Sequence, residues 1–501
     1  MDVLQNFFYI RDIKLLLQLS LCYNFIVLKK NKTIILICLV FSVLYSSLSI
    51  IHHQHFLSGG FDLGLFDQAV WQYSHFLYPF NTIKMEMILG DHLTLTLPLL
   101  APLYYLWDNV RILLIFQAIW ISCSGLAIFK YLLLRKFTQF QALTLSFIYL
   151  LFYGIQYALY FDFHPVIIGV GLLAWIVYFW ESKKWKLFAV STVLLLLTQE
   201  NMGIALAGLS IIWFFQGKRR KLALLMGLIG IVSSFAAFQA IKLFTDVVGE
   251  YSPHLPANLS GYVTQLFDSP EKREVLLYSL SSFSFLSIFS IGSMLAVFMD
   301  LGQYFLTGES FMRMWSPFTH HRAILDIFLL VGAADTLLFL KSKKVNITYV
   351  VGGMLLISLF LQFYFHFPLN KLTKPEFLRS ESWMRDNQDG LSRIPKDASV
   401  AAQQSLVPHL SHRKEIYLIY PRKHTFEQSV CSQRECWWLD FGGKPEYLII
   451  DTHDGAWLTM LLADVKDFRE AVNSMENSKA IQLVYRKNET KIYRVNMKEL
   501  K

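Results

Sequence analysis

Charge is what this sequence has least of. Only 17% of its 501 residues are Asp, Glu, Lys or Arg, against 54% hydrophobic and 16% aromatic. An ordinary soluble domain carries about a quarter charged residues, so a soluble fold is excluded for most of the chain. Cysteine is also sparse, five in all. Cys22, Cys38 and Cys123 sit in apolar surroundings and read as packing residues. Cys431 and Cys436 lie in a polar tail with no second pair at zinc-site spacing, so they are candidates for a disulfide if the tail is extracytoplasmic. No glycine-rich loop with a lysine and no dinucleotide fingerprint occurs, which removes the common nucleotide-binding folds. Nor is there a small-residue cleavage site after the first long apolar run, so the N-terminus is no ordinary signal peptide. The net charge of +9 does not indicate nucleic acid, because Lys and Arg fall in short clusters between apolar runs instead of covering one face.

What is present is a series of apolar runs near bilayer length from Thr33 to Pro368. Residues 1–32 read as a cytoplasmic segment with an interfacial helix in 1–28, and 33–368 as the membrane module. Lys29, Lys30 and Lys32 precede the first span, Thr33–Ile51, and place it N-terminus inside. The next segment, His52 to His92, holds one Lys and no Arg against four carboxylates, so it is the first outer loop. Clusters at Lys130/Arg135/Lys136, Lys183/Lys184/Lys186, Lys218/Arg219/Arg220/Lys221 and Lys341/Lys343/Lys344 mark cytoplasmic turns. Parity then requires an odd number of crossings between His92 and Lys136. Leu93–Trp107 is short and contains Pro98 and Pro102, so it is expected to lie on the outer surface or re-enter, with only Val110–Leu134 spanning. Later spans are expected at Gln141–Tyr160, Val166–Trp180, Leu187–Thr198, Ile204–Phe215, Leu222–Leu243, a hairpin in Val275–Phe305 broken near Gly292, Ile324–Leu340 and Ile347–Phe367. The expectation is a polytopic α-helical protein of about eleven spans in the plasma membrane, its C-terminus outside.

From Asn370 the chain turns polar. Short β-rich runs at Ser399–Ala402, Glu415–Ile419, Tyr447–Asp451, Ile481–Tyr485 and Lys491–Val495 alternate with helical stretches such as Val465–Met475. Residues 370–501 therefore predict a small extracytoplasmic α/β domain that folds independently.

Ionisable residues gather where spans end on the outer side. Asp62 and Asp67 occupy the first outer loop, followed by Asp91-His92, Asp162-Phe163-His164-Pro165, Gln199-Glu200-Asn201 and His320-His321. Charges at a membrane boundary are costly, so a one-sided set suggests a site. On a helix Asp62 and Asp67 would point about 140° apart and would not share a proton. Either could be the reactive carboxylate; Asp62 could instead cap a short helix after Gly59-Gly60. Asp91, His92, Asp162 and His164 are candidate ligands for a divalent metal such as Mg or Mn, or for a phosphate-bearing donor. Cytoplasmic loops are too short for a nucleotide-binding domain, so a donor must come from the membrane or the outer compartment.

The ordered elements Phe61-Asp62, Phe66-Asp67-Gln68, Trp71, Asp91-His92, Pro102-Leu103-Tyr104, Asp162-Phe163-His164-Pro165 and Gln199-Glu200-Asn201 resemble an uncharacterised family of polytopic proteins, domain of unknown function 2079. Ile394-Pro395-Lys396-Asp397-Ala398-Ser399-Val400 and Pro408-His409-Leu410-Ser411-His412-Arg413 are similar to its C-terminal region. That family in turn resembles the C-type, protein mannosyltransferase-like glycosyltransferases. The resemblance implies transfer of a sugar from a polyprenyl-phosphate carrier to an envelope acceptor, with an essential acid in the first outer loop. It implies Asp62 or Asp67 as the base, and Gln68, Asp91, His92, Asp162, His164, Glu200, His320 and His321 as substrate-binding residues. There are departures. The Asp-Glu pair of the mannosyltransferase loop is missing, and Gln199-Glu200-Asn201 stands where relatives carry Lys-Glu-Asp, which implies an altered substrate or lost activity. A transporter or flippase of envelope precursors and a non-catalytic assembly factor are the rival readings. Transport is disfavoured by the lack of internal repeats.

Overall fold

The structure, a computed structural model, describes residues 31–245, 256–428, 430–456, 465–496 and 498. The interfacial helix expected within residues 1–28 lies outside the described residues. Among them, seven helices are long and apolar enough to cross a membrane: Lys32–Gln54, Arg111–Leu134, Gln139–Phe161, Pro165–Ser182, Arg220–Ile241, Phe311–Ser342 and Ile347–Tyr364. Trp185–Leu196 and Met202–Phe215 are shorter apolar helices. The stretch expected to form a hairpin holds two helices, Pro270–Ser282 and Ile291–Phe305, separated at Phe283–Ser290 just before Gly292, but Ile291–Phe305 packs mainly on Met202–Phe215 and Leu325–Ser342 and not on Pro270–Ser282. The chain is a polytopic helical membrane protein with a small C-terminal sheet domain.

Local chemistry sets the helix ends. Thr138 and Gln141 form a reciprocal capping box at the start of Gln139–Leu150. Pro165 opens Pro165–Ser182, where the missing N–H costs no helical hydrogen bond. Close packing is set by small residues: a Cβ on Gly203 would lie 2.2 Å from the Gly230 carbonyl oxygen, so only glycine lets Met202–Phe215 and Arg220–Ile241 approach this closely. Burial separates inner from outer helices. Gln139–Phe161 is 83% buried, whereas Arg220–Ile241 and Ile347–Tyr364 are 22% and 28% buried and present their apolar faces outward.

The basic clusters meet at one end of the bundle. Arg135 pairs with Asp335 at 2.7 Å, Lys341 donates to the Lys136 carbonyl at 2.8 Å, and Arg219 donates to the Trp180 carbonyl at 2.7 Å. The loop from His52 to His92 lies at the opposite end, capped by the C-terminal domain. Leu97–Tyr105 does not span. It is a 3-10 segment with Pro98 in its first turn and Pro102 inside, lying against helix Leu65–Ser74.

Two short strands, β1 (Phe80–Asn81) and β2 (Glu86–Met87), form a hairpin within the first loop. The C-terminal domain holds a six-stranded mixed sheet of β3 (Val400–Ala402), β4 (Ile416–Thr425), β5 (Glu435–Phe441), β6 (Tyr447–Asp451), β7 (Ile481–Lys487) and β8 (Thr490–Val495). Its order is β5-β4-β3-β6-β8-β7, with β3 parallel to both β4 and β6. Helices Ser382–Ser392 and Val465–Asn477 cover it. β5 was not foreseen, and β4 runs past its expected end at Ile419. Cys431 and Cys436 are joined across the β4–β5 connection.

The domain shares its core with the membrane module. Phe56 and Ile83 of the first loop belong to one apolar cluster with Val400, Leu406, Val407 and Ile416. Gln68 donates to Thr82 Oγ1 at 2.9 Å and to the Arg413 and Lys414 carbonyls at 3.3 Å.

Candidate active site

One cavity of about 1680 Å³ opens at the end of the bundle away from the basic clusters. The first loop, several span ends and the C-terminal domain all contribute to its wall. It brings together Asp62, Asp91, His92, His164, Glu200, His320 and His321, which the sequence supplies from five separate segments.

Asp62 does not cap a helix. It lies inside a single π-type turn, Gly60–Gly64, and its side chain is 20% exposed toward the cavity. Both N–H groups before it are clamped. Gly59 donates to Asp162 Oδ2 at 2.8 Å, and Gly60 donates to the backbone carbonyl of Gln404 at 3.0 Å. A Cβ on Gly60 would lie 2.7 Å from Gln404 Oε1, so glycine is required for this seat. The membrane module thus holds the turn from one side and the C-terminal domain from the other.

His164 Nε2 stands 3.3 Å from Asp62 Oδ1, at ion-pair distance but without hydrogen-bond alignment. Its ring stacks on His320 at 3.6 Å, and His320 lies 3.9 Å from the His321 ring. The proline at 165 explains the placement: it starts the helix abruptly and leaves His164 extended at the rim.

A second group lies along the same wall. His92 Nδ1 donates to Glu200 Oε1 at 2.8 Å, and the Leu93 N–H donates to Glu200 Oε2 at 3.2 Å. Burial alone would lower the His92 pKa, but Glu200 and Asp91 outweigh it and push it up to about 9. Asp91 pairs with Lys84. Burial works against its charged form, yet His92 and Lys84 hold the carboxyl below its ordinary range. Asn201 Nδ2 donates to the Tyr304 hydroxyl at 3.2 Å, and Tyr304 and Arg313 extend the wall.

Three expected site residues, Asp67, Gln68 and Asp162, do not reach the cavity. Asp67 is fully buried beneath the C-terminal domain. It accepts from the Tyr104 and Ser411 hydroxyls and from His412 Nε2 at 3.1 Å, while His412 Nδ1 meets Asp108 at 2.7 Å. Burial would lower the His412 pKa, but Asp67 and Asp108 raise it to about 9. Asp67 therefore corrects the expectation of a second reactive carboxylate: it has no open face, and all its partners are structural. Its neighbour Gln68, expected to bind substrate, is fully buried in the same interface.

Asp162 is likewise a brace. Its Oδ2 accepts from the Gly59 N–H, and burial together with Asp62 raises its pKa well above the ordinary range. The expected metal set of Asp91, His92, Asp162 and His164 does not converge: Asp91 pairs with Lys84, His92 with Glu200 and Asp162 with the Gly59 N–H, while His164 lies against Asp62 and His320. Among the described residues no group of three or more His, Cys, Asp or Glu is placed to hold a metal ion. The side chains present thus do not fit a divalent metal.

Several cavity residues were not anticipated. Lys84 is the lone cation of an acidic loop, a signal the sequence did carry. Tyr420, Arg422 and Trp437 reach the cavity from the C-terminal domain, with no local mark in the sequence.

A family model described as predicted membrane protein (DUF2079) matches residues 52–461. The chain belongs to that family. Among solved structures it is similar to ArnT from Cupriavidus metallidurans in the apo state, at 11% identity and a TM-score of 0.49, over 91% of this chain and 98% of that one. No curated protein matches it.

Proposed function

We propose that this DUF2079 protein is a membrane glycosyltransferase that moves a sugar from a polyprenyl-phosphate carrier to an acceptor hydroxyl at the outer face of the plasma membrane. The observation that carries this reading is Asp62, a clamped and partly exposed carboxylate on the wall of a large cavity that also holds Lys84, His92 and Arg313. A base and cationic side chains in one chamber at the membrane edge are what lipid-phosphate displacement needs. The resemblance to C-type transferases, with an acid in the first outer loop, points the same way.

Asp62 takes the proton of the acceptor hydroxyl as its oxygen forms a bond to the anomeric carbon. The bond from that carbon to the phosphate oxygen breaks on the opposite side, its electron pair going to the departing lipid phosphate, so the configuration inverts. Charge grows on the phosphate in the transition state. His92, kept protonated by Glu200, is placed with Lys84 to stabilise it. His164 lies against Asp62 at 3.3 Å. Outward apolar faces such as Arg220–Ile241, whose Phe238 also lines the cavity, would hold the prenyl chain.

The test is a membrane assay with a labelled polyprenyl-phosphate sugar, comparing membranes with and without the protein. Protein-dependent transfer of label is expected. If no carrier supports it while the protein is inserted and folded, the transferase reading fails.

A further inference from the structure

We propose that Gln199, Asn201, Gly302, Tyr304, His320 and His321 form the subsite for the transferred sugar, and that this sugar is uncharged. The proposal rests on the transferase reading and names the class of sugar that the carrier brings.

These residues line the cavity, and contacts join them into one stretch of its wall. Gln199 Nε2 lies 3.3 Å from His92 Nδ1. Asn201 Nδ2 donates to the Tyr304 hydroxyl at 3.2 Å, and the Tyr304 ring lies 4.6 Å from that of His321. His321 lies 3.9 Å from His320, whose ring stacks on His164 at 3.6 Å. His92 is the group placed to stabilise the leaving phosphate, and His164 lies against Asp62. One end of the stretch therefore adjoins the phosphate side and the other adjoins the base. A sugar ring caught between a leaving phosphate and an attacking hydroxyl must sit along that stretch.

The polar atoms of this stretch call for a ligand, and for a neutral one. Gln199 and Asn201 are buried, yet Gln199 Oε1 and Asn201 Oδ1 have no hydrogen-bond partner among the described residues, nor do Nδ1 of His320 and of His321. Buried polar groups are costly when left unpaired, and hydroxyls of a bound sugar would pair them. The Tyr304 hydroxyl accepts from Asn201 and keeps its own proton to donate. Glu200 stands between the two amides in the chain, but one of its oxygens is taken by His92 Nδ1 and the other by the Leu93 N–H. It leaves no free carboxylate for an amino sugar. No Lys or Arg belongs to the set, so a sugar carboxylate finds no fixed cation in it.

Gly302 is the second observation. It lies inside helix Ile291–Phe305 and on the cavity wall. A Cβ added there would meet no listed side chain or neighbouring segment closer than Leu306 Cδ1 at 3.9 Å, whereas one on Gly203 would lie 2.2 Å from a backbone oxygen. Packing within the protein thus requires glycine at 203 and not at 302. Glycine inside a helix is less stable than alanine. Its use at this place leaves the wall open beside Tyr304, where a ring can approach the backbone closely.

The experiment uses the full chain in lipid nanodiscs and reads equilibrium binding without turnover. The probes are short-chain polyprenyl phosphate, bare or carrying mannose, glucose, galactose, glucosamine or glucuronate. At least one neutral hexose should tighten binding about tenfold over the bare carrier, and the two charged sugars should not. Gly302→Ala should cost about threefold or more of that gain while its thermal midpoint holds or rises, because alanine suits the helix better. A purely structural glycine would give the reverse, a lower midpoint with the sugar preference kept. Asn201→Leu, which removes the unpaired acceptor at similar size, should also reduce the gain by about threefold or more. The proposal is overturned if no neutral hexose outbinds the bare carrier, if glucosamine or glucuronate outbinds every hexose, or if both variants keep the full gain. A protein that prefers a hexose through Gly302 and Asn201 yet transfers no label supports the subsite and sinks the transferase reading. One that transfers label but prefers a charged sugar does the opposite.

Discussion

Asp62→Asn and Asp67→Asn should part company. The two acids lie five residues apart in one loop, yet one faces the cavity and the other is sealed under the C-terminal domain. At Asp62 the amide keeps size and shape but cannot accept the acceptor proton. General-base loss costs about 10²- to 10⁴-fold in rate, or roughly 3–5 kcal/mol of barrier. Stability should barely change, because Asp62 is partly exposed and His164 Nε2, 3.3 Å away, makes no aligned hydrogen bond to it. At Asp67 the balance reverses. Its carboxylate accepts from Tyr104, Ser411 and His412, and an amide leaves the cationic His412 without its buried counter-charge. Breaking such a pair costs on the order of 3 kcal/mol in folding or domain docking. The chemical step should survive in whatever fraction remains docked. The assay is single-turnover transfer from labelled polyprenyl-phosphate sugar, normalised to folded protein, with thermal unfolding measured in parallel. Asp62→Asn should lose rate and keep its midpoint; Asp67→Asn should lose midpoint and keep most of its rate. If Asp62→Asn transfers within threefold of wild type, or the two variants show one profile, the division of roles is wrong.

Four further outcomes are expected. Because the His412 pKa is raised from 6.5 to about 9, its contribution to docking is fully present below about pH 6.5 and lost as pH rises through 9; limited proteolysis should release the domain more readily at pH 9.5 than at pH 7, and Asp67→Asn should flatten that dependence. Gly60→Ala should lower transfer although it touches no reacting atom, since its Cβ would press on Gln404 and Val407 and shift the Asp62 turn; unchanged kinetics would show that the clamp is dispensable. Reporter fusions after Lys136, Lys186, Lys221 and Lys344 should report cytoplasm, and fusions after Asn370 the outer compartment, because the basic clusters and the C-terminal domain sit at opposite ends of the bundle. EDTA should leave transfer unchanged, as Asp91 and His92 are turned to separate partners and no three described acids, histidines or cysteines are grouped to hold a metal; strong inhibition reversed by Mg or Mn would contradict that geometry.

Much of the site was legible because membrane topology imposes sidedness. Asp62, His92, His164, Glu200 and His320 each stand where an apolar run stops on the same side, so parity alone gathers them at one end. Parity also marked Leu93–Trp107 as non-spanning, helped by prolines that disfavour a long helix, and a 3-10 segment, Leu97–Tyr105, lies there. What sequence could not supply is pairing across distance. Asp67 meets Ser411 and His412 more than 340 positions away, and nothing in either segment alone indicates which of two loop acids is covered. Strand β5 escaped notice for a related reason. Trp437 and Trp438 are both large and apolar, so the alternation that marks a half-buried strand is hidden by a cavity that takes one and a core that takes the other.

The shared core changes how the C-terminal domain should be regarded. A boundary near residue 370 follows the change from apolar to polar composition, but the first loop inserts Phe56 and Ile83 into that domain's apolar cluster and lends it Asp67 and Gln68. The same loop carries Asp62, and Gly60 is bonded to Gln404. Any motion of the domain therefore pulls on the turn that carries Asp62. Burying an acidic loop segment at this depth also has a cost, met here by full hydrogen bonding of Asp67, so a detached domain would leave a carboxylate and a histidine without their partners. Expression of residues 370–501 alone, first expected to give an independent fold, should on this geometry yield a domain with an exposed apolar patch around Val407 that associates or binds hydrophobic dye. Restoring residues 52–92 in the same polypeptide should suppress that binding. A clean monomer without dye binding from 370–501 alone would mean that the contact is a loose docking surface, and that the domain can move without disturbing Asp62.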